Sequence, residues 1–437
     1  MTRGLILSAP SSGAGKTTLT LGILRALAQR DVNVRGAKSG PDYIDPRFLE
    51  AACGAPCPNL DAWAMPLERL RALAAGKGEP GLLLIEGAMG LFDGAPPDGR
   101  GATADLARVL DLPVVLVVDA ARMAQSVAPL VAGFAGQDPQ VDVAGVILNN
   151  VGSARHEAML RHALAPLGIP VLGALGRQAD LGHPSRHLGL VQAGERSDLD
   201  LWLERVAGAV ADAVDLVALQ ALARPVSRGT DPSPRLAPPA QTIAVARDAA
   251  FAFAYPHLLI DWRAQGAEIA FFSPLADQPA PLCEMIFLPG GYPELHAGRL
   301  TQAHAFRASM QAAAARGALI YGECGGYMVL GEGLVDAAGT RHEMLGLLAL
   351  ETSFARRRLH LGYRRLTPHP GSPWTGPLNG HEFHYASTLR ACGAPLFGAC
   401  NAEGDPLPDM GLRAGRVSGS FAHVIDCGTD EAPGGFS

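Results

Sequence analysis

The stretch APSSGAGKTTLT, residues 9–20, constrains the fold more than any other part of the chain. It follows the apolar run LILSA and leads into TTLTLGILRALAQR, whose apolar residues recur at helical spacing. A strand, a glycine-rich turn and a helix in that order make the first half of a parallel βαβ unit. Such a unit needs a sheet covered on both faces. Gly13 and Gly15 let the backbone approach a phosphate, and N–H groups at the helix start point towards it. Lys16 adds a charge, Thr17 offers a hydroxyl to a metal ion, and Thr18 extends the anion-binding run. The common G-x-x-x-x-G-K-[ST] pattern would place glycine at position 10, where Pro10 stands. That position only shapes the entry to the loop.

Further apolar runs, NVRGAKS, LLLIEGA, VVLVVDA and AGVILNN, alternate with helical stretches and predict one α/β domain over residues 1–223. At 224–240 the alternation stops in a segment with five prolines, which reads as an extended connector. It restarts with TIAVARD, EIAFFS, MIFLPGG and GALIYGECGG, so residues 241–437 are expected to form a second α/β domain. With 437 residues, 48% of them hydrophobic, both can bury proper cores. The net charge of -6 has nothing to set against a nucleic-acid backbone, and no apolar run approaches the roughly 20 residues that span a bilayer. Neither nucleic acid nor membrane is expected as a partner. The start, MTRGLILSAP, runs into the loop without a small-residue cleavage site, which makes it a strand and the cytoplasm the expected location. Seven scattered cysteines argue for reduced thiols, and the close pair Cys53 and Cys57 has no second ligand pair nearby, so no structural metal is assigned.

Three other stretches fit the same nucleotide site, at the edge where parallel sheets place ligands. In KSGPDYIDP, Lys38 is suited to a phosphate, while Asp42 and Asp45 either bind magnesium or position a reacting carboxylate; a surface turn is the plainer role for each. In LLLIEGAMGLFDG, Glu86 ends a buried strand where a carboxylate reaches a metal, and an unpaired buried carboxylate would otherwise be costly. Asp93 either serves the substrate or begins the turn before Gly94. Asn149 either reads an adenine edge or caps a helix. ATP and Mg2+ are the expected cofactors.

In the second domain, ALIYGECGGYMVLG is a strand, a tight turn of small residues carrying Cys324, and a helix, the arrangement of a nucleophile elbow. The helix N-terminus is expected to favour the thiolate, and the Gly325 N–H can face an oxyanion. A second oxyanion donor is expected from Gly291 in FLPGGYPELHA. Thirteen histidines compete for the role of base. His423 in GSFAHVID is preferred, with His381 and His384 in GHEFHYAS close behind on spacing alone.

With these residues in hand, nearly the whole chain resembles the cobyrinic acid and hydrogenobyrinic acid a,c-diamide synthases of cobalamin biosynthesis. The resemblance rests on APSSGAGKTT, KSGPDYIDP, EGAMGLFDG, PGGYPE, YGECGGYM, GHEFHY and GSFAH in that order. It implies an α/β fold with two domains: an N-terminal P-loop, dethiobiotin-synthetase-like parallel sheet and a C-terminal class I, triad-type glutamine amidotransferase sheet. It also explains Pro10, since the family's loop begins with proline. It implies that Cys324 is the glutaminase nucleophile, that His423 raises its nucleophilicity, and that Asp42, Tyr43, Asp45, Glu86 and Asp93 belong to the synthetase site, with Tyr43 on the substrate. Many such amidotransferases carry a glutamate two residues after the histidine. Here that position is Ile425 and the nearest acid is Asp426, so the third member of the triad stays open.

The implied chemistry is ATP-dependent activation of the a and c carboxylates and their amidation by ammonia from L-glutamine, behind a closed domain interface. RHLGL (186–190) and RRRLHLGYRR (356–365) are candidate grips for a corrinoid tetrapyrrole acid, the second being equally readable as a solvated strand edge. The partners are then small molecules, with a homodimer left open. Two rivals remain: a cobyric acid synthase acting on other carboxylates of the ring, and a nucleotide-dependent regulator with an inactive second domain. A ParA-like switch would carry a second lysine at position 11, where Ser11 stands.

Overall fold

The computed structural model describes residues 1–76, 78–178, 181–182, 185–186, 189–190, 192–227 and 235–428. These fall into two compact units, Met1–Ser233 and Pro234–Ser437.

The first unit is built on β1 (Arg3–Ser8), β2 (Val34–Ser39), β3 (Asn59–Leu60), β4 (Leu82–Glu86), β5 (Val114–Asp119), β6 (Val143–Val151) and β7 (Val171–Gly176). They lie in the order β3-β2-β4-β1-β5-β6-β7, all pairings parallel. Strands β1, β4 and β5 are buried almost throughout, which is why their sequences read as unbroken apolar runs. The helix Lys16–Ala28 packs on the helix Leu199–Ala213. Gly22 permits this close crossing, since a Cβ there would stand 2.5 Å from Val210 Cγ2. The register sets Lys38 of β2 opposite Glu86 of β4, and Glu86 opposite Leu7 of β1. The C-terminal ends of three strands are therefore level with one another beside the loop after β1.

A small hairpin, β8 (Ser185–Arg186) with β9 (Gly189–Leu190), precedes β10 (Arg224–Pro225), which runs antiparallel to Arg3 and Gly4 of β1. The front of the proline-rich stretch is thus paired into the first sheet rather than free. Its tail is tied into the second unit, where Leu236 is buried and Trp374 Nε1 donates to the Ala237 carbonyl at 3.3 Å.

The second unit has a main sheet of β11 (Thr242–Ala246), β12 (Glu268–Phe272), β13 (Met285–Leu288) and β14 (Leu319–Glu323), completed by later strands. Between them and the chain end come β15 (Gly333–Val335), β16 (Arg341–Glu343), β17 (Ala349–Ser353), β18 (His360–Pro368), β19 (Leu378–His384), β20 (Ser387–Cys392), β21 (Phe397–Cys400), β22 (Pro406–Met410), β23 (Leu412–Ala414), β24 (Val417–Ser420) and β25 (Ala422–Cys427). The main sheet runs β12-β11-β13-β14-β24-β23, parallel except for its edge pair β23 and β24. Two further sheets, β16-β15-β17-β20 and β22-β21-β18-β19-β25, were not foreseen in the sequence. Strands such as β18 are only half-buried, so they lack the continuous apolar signal of the parallel core. Phe421 alone separates β24 from β25, so the chain leaves the parallel sheet there and enters the antiparallel one. No helix among the described residues is long and apolar enough to cross a membrane.

Candidate active site

The first unit gathers its polar residues around the loop. Gly13 (φ 82°) and Gly15 (φ 91°) occupy the left-handed region that only glycine adopts at little cost. The helix from Lys16 has no side-chain cap, so its first N–H groups are left for an anion. Lys16 Nζ donates to the Ser11 carbonyl at 3.3 Å and to that of Met89. Thr17 Oγ1 donates to Glu86 Oε1 at 2.6 Å. Lys38 Nζ reaches the same oxygen at 2.8 Å and Asp45 Oδ2 at 2.5 Å. Lys38, Asp45 and Glu86 are all buried.

Each of the two carboxylates keeps one buried oxygen, Glu86 Oε2 and Asp45 Oδ1, without a hydrogen-bond partner among the described residues. Orphaned carboxylate oxygens next to a threonine hydroxyl fit a hard, oxygen-seeking cation such as Mg2+. Burial pushes the Glu86 carboxyl up, and burial followed by the charge of Lys38 pulls the Lys16 ammonium down. In Lys38 burial works against the charge, but Asp45 and Glu86 outweigh it and hold the ammonium above its ordinary value. Asp42 is pushed up to about 7, by burial first and then by Asp45. Its Oδ1 accepts from the N–H groups of Ile44 and Asp45 at 2.8 and 2.9 Å, the turn role.

The remaining expected residues fall around this cluster. Asp93 is exposed, its Oδ2 accepts from Gly90 N at 2.9 Å, and its charge acts on Lys16. Tyr43 is buried and Thr18 half-buried. Asn149 Nδ2 donates to the Ala14 carbonyl at 2.9 Å, so its side chain braces the loop. Cys53 and Cys57 stand 3.6 Å apart, sulfur to sulfur, and the Cys57 side chain holds the Cys53 thiol at about 7.

In the second unit Cys324 follows β14 directly, with φ 46° and ψ −104°, a strained conformation that exposes a side chain at a strand-to-helix turn. The close turn depends on Gly326, where a Cβ would lie 1.9 Å from the Leu288 carbonyl oxygen. Glu323 pairs with Ser420 across the sheet, and Cys324 N donates to the Ser420 carbonyl at 2.8 Å. Because β25 begins two residues later, His423 is brought to the cysteine. A Cβ on Gly290 would stand 2.2 Å from His423 Cε1, 2.8 Å from Nε2 and 3.3 Å from Cys324 Cβ. His423 Nε2 and the Cβ of Cys324 thus share one side of Gly290. Gly325 N–H acts on the Cys324 sulfur, and Gly291 N lies 3.0 Å from where a Gly325 Cβ would be.

The thiol is not the thiolate that the helix N-terminus was expected to favour. Burial, then the charge of Glu294, pushes Cys324 well above its ordinary value. The helix Gly325–Leu330 has only six residues, too short to offset a site this dry. Burial lowers His423 to about 3, so at neutral pH its ring is uncharged. Beside it, Glu323 Oε2 is 3.6 Å from His423 Nδ1, and sequence reasoning missed this acid. Asp426 is buried and accepts from Cys427 N at 2.8 Å. Gly290→Ala is expected to cut glutamine use by on the order of 10²-fold, because the methyl must displace the imidazole. Ammonium-dependent activity should be unchanged, and steady-state rates with the two nitrogen sources check it.

His381 lies opposite His423 in the β19–β25 ladder, and His384 Nε2 bonds Glu382 Oε1 at 2.9 Å. His360, Glu382 and His384 offer three ligand atoms within 4.8 Å of one another. Arg364 reaches Glu382 Oε2 at 2.7 Å, however, and that cation already neutralises the carboxylate a metal would need. Of the arginine-rich run, Arg356, Arg357 and Arg358 are exposed while Arg364 is committed to this network. The side chains of RHLGL (186–190) lie outside the described residues.

Residues 5–191 match a CobQ/CobB/MinD/ParA nucleotide binding domain, and residues 242–429 match a CobB/CobQ-like glutamine amidotransferase domain. Over 433 residues the chain is 59% identical to the hydrogenobyrinate a,c-diamide synthase of Brucella anthropi, covering 98% of this chain and 99% of that protein. The chain belongs to the hydrogenobyrinate a,c-diamide synthase family. Members of the same name from Rhizobium meliloti and Rhodobacter capsulatus are 56% and 51% identical, each over 97% of this chain and over 99% and 98% of their own lengths. In this hydrogenobyrinate a,c-diamide synthase family member, the phosphate loop falls in the nucleotide-binding part and Cys324 in the amidotransferase part. The chain is accordingly an amido-transferring ligase.

Proposed function

We propose that this protein amidates the a and c side-chain carboxylates of hydrogenobyrinate, taking nitrogen from L-glutamine and driving the reaction with ATP. The observation that carries this is the presence, in one chain, of a phosphate loop facing buried carboxylates and of a strained cysteine beside an uncharged histidine.

A carboxylate is a poor electrophile. Transfer of the γ-phosphoryl group of ATP to a carboxylate oxygen makes an acyl phosphate and ADP. The loop N–H groups hold the phosphates, and Lys16 follows the transferring group once it releases the Met89 carbonyl. Thr17, Asp45 and Glu86 would hold a magnesium ion, which when bound offsets negative charge on the phosphates. Lys38 keeps the two carboxylates together and Asn149 braces the loop, while Asp42, Tyr43 and Asp93 would meet the substrate.

At the other site the Cys324 proton passes to His423 Nε2 as the sulfur attacks the glutamine carboxamide carbon. The oxyanion is met by the Gly325 and Gly291 N–H groups. Collapse expels ammonia, which takes the proton, and leaves a thioester that water cleaves to glutamate. Ammonia then attacks the acyl phosphate and phosphate leaves, giving the amide. Two rounds give the diamide.

Phosphate and amide should appear in equal amounts with hydrogenobyrinic acid and glutamine. Phosphate release without amide would favour a nucleotide-dependent regulator, and amidation of the a,c-diamide alone would favour a cobyric acid synthase. Running cobyrinic acid alongside tests whether the site accepts the cobalt-bearing ring. Chelating magnesium with EDTA should stop amidation from glutamine and ammonium alike and leave glutamine hydrolysis running.

A further inference from the structure

Glutamine hydrolysis needs a histidine whose Nε2 is bare and faces the thiol, so something must hold the proton on Nδ1. Many triad amidotransferases do this with a glutamate two residues after the histidine, but here that position is the buried Ile425. We propose that Glu323, the residue before the nucleophile, is the positioning residue that fixes the tautomer and orientation of His423. This rests on the glutaminase reading given above.

The geometry comes from both sides of the imidazole. Nε2 lies on the side of Gly290 and Cys324, while Nδ1 is the atom 3.6 Å from Glu323 Oε2. That separation is longer than a hydrogen bond, as catalytic contacts often are before substrate binds, and a movement of under about 1 Å closes it. The carboxyl cannot turn away. Its other oxygen, Oε1, accepts from Val424 N at 3.0 Å and from Tyr321 OH at 3.2 Å. The Val424 bond links Glu323 to the residue next to His423, so acid and ring are held by the same short segment of β25. Other groups acting on the ring are His381 and His384 of β19, neither of which offers a negative charge, and the Phe253 backbone, which hydrogen-bonds it. Burial pushes the Glu323 carboxyl up to about 8, and the positive charge the ring gains with the thiol proton draws it back towards the carboxylate. Asp426 alternates along β25 in register with Asn379 rather than with His423's partner, and its carboxylate accepts from Cys427 N.

Glu323→Gln keeps an acceptor oxygen for Val424 N and Tyr321 OH but turns an N–H₂ towards Nδ1. This pushes the proton to Nε2, the wrong tautomer for accepting from the thiol. The expected result is a fall in glutamine-dependent kcat on the order of 10²-fold or more. KM for glutamine should change little, ammonium-dependent amidation should be unchanged, and Glu323→Asp should recover part of the loss. Asp426→Asn should leave glutamine use intact. A Gln variant within about threefold of the parent with glutamine overturns the proposal, and so does a loss seen with Asp426→Asn instead. Should the Gln variant fail with both nitrogen sources, the Asp variant decides. Glutamine use between that of the parent and Cys324→Ala supports the role, and use equal to the parent's overturns it. A parent that makes no amide from glutamine at all would sink the glutaminase reading itself, a different failure.

Discussion

Cys324→Ala will abolish diamide synthesis from glutamine and leave ATP-dependent synthesis from concentrated ammonium close to that of the parent. Losing a nucleophile that acts with a paired base costs about 10⁶ in kcat, so the glutamine rate should fall below detection. The thiol makes ammonia and takes no part in activating the acid. The strained φ of 46° at this position is set by the turn and by the Cys324 N to Ser420 carbonyl bond, neither of which needs the sulfur. Alanine there is as strained as cysteine, so the fold should survive. With ammonium, synthesis should rise as pH increases the free-ammonia fraction, and ATP use should stay coupled to amide. His423→Ala should show the same split in milder form, since a small fraction of thiolate survives without its base. If glutamine use persists in Cys324→Ala, the cysteine is an ordinary buried thiol. If His423→Ala uses glutamine normally while His381→Ala does not, the base has been misassigned.

What was legible in the sequence follows from how far along the chain each contact reaches. The phosphate loop and the cysteine elbow are local: a strand, a few glycines and a helix start carry their own geometry. Glu86 was legible because it ends a wholly apolar strand, where a carboxylate needs a reason to be. Its partner was less so. Lys38 meets Glu86 through the β2–β4 register, across 48 residues, and nothing local to either announces it. Asp42 and Asp45 stand close in sequence but differ in what they touch: one caps a turn and the other joins the buried ion cluster. Glu323 was overlooked although it adjoins Cys324, because its proximity to His423 depends on the chain changing sheets at Phe421. Spacing along the chain offered only Asp426 as the nearest acid and left the third member of the triad open. The thiolate reading failed for a related reason, since a sequence shows a helix start but not how dry its surroundings are.

Lys16→Ala and Glu86→Gln will stop amidation from both glutamine and ammonium, because neither nitrogen source can bypass activation of the carboxylate. Lys16 supplies charge to the transferring phosphoryl group, and losing one such preorganised donor costs on the order of 10²–10³ in kcat. Among the described residues its side chain reaches only two loop carbonyls, so its loss should leave the fold intact. Glu86 is the harder case, as it accepts from both Thr17 and Lys38 at the centre of a buried cluster. Glutamine keeps an acceptor for these donors but removes the charge that offsets Lys38. Breaking one partner out of a buried ion set typically costs about 3–5 kcal/mol, so the Glu86 variant should also melt earlier than the parent. Asp45 still pairs with Lys38 at 2.5 Å, which should keep the variant folded at ordinary temperature. The control is glutamine hydrolysis without ATP, which both variants should retain since Cys324 and His423 are untouched. Near-normal amidation by either would remove the phosphate loop from the reaction, and loss of glutamine hydrolysis as well would show that the substitution had unfolded the chain.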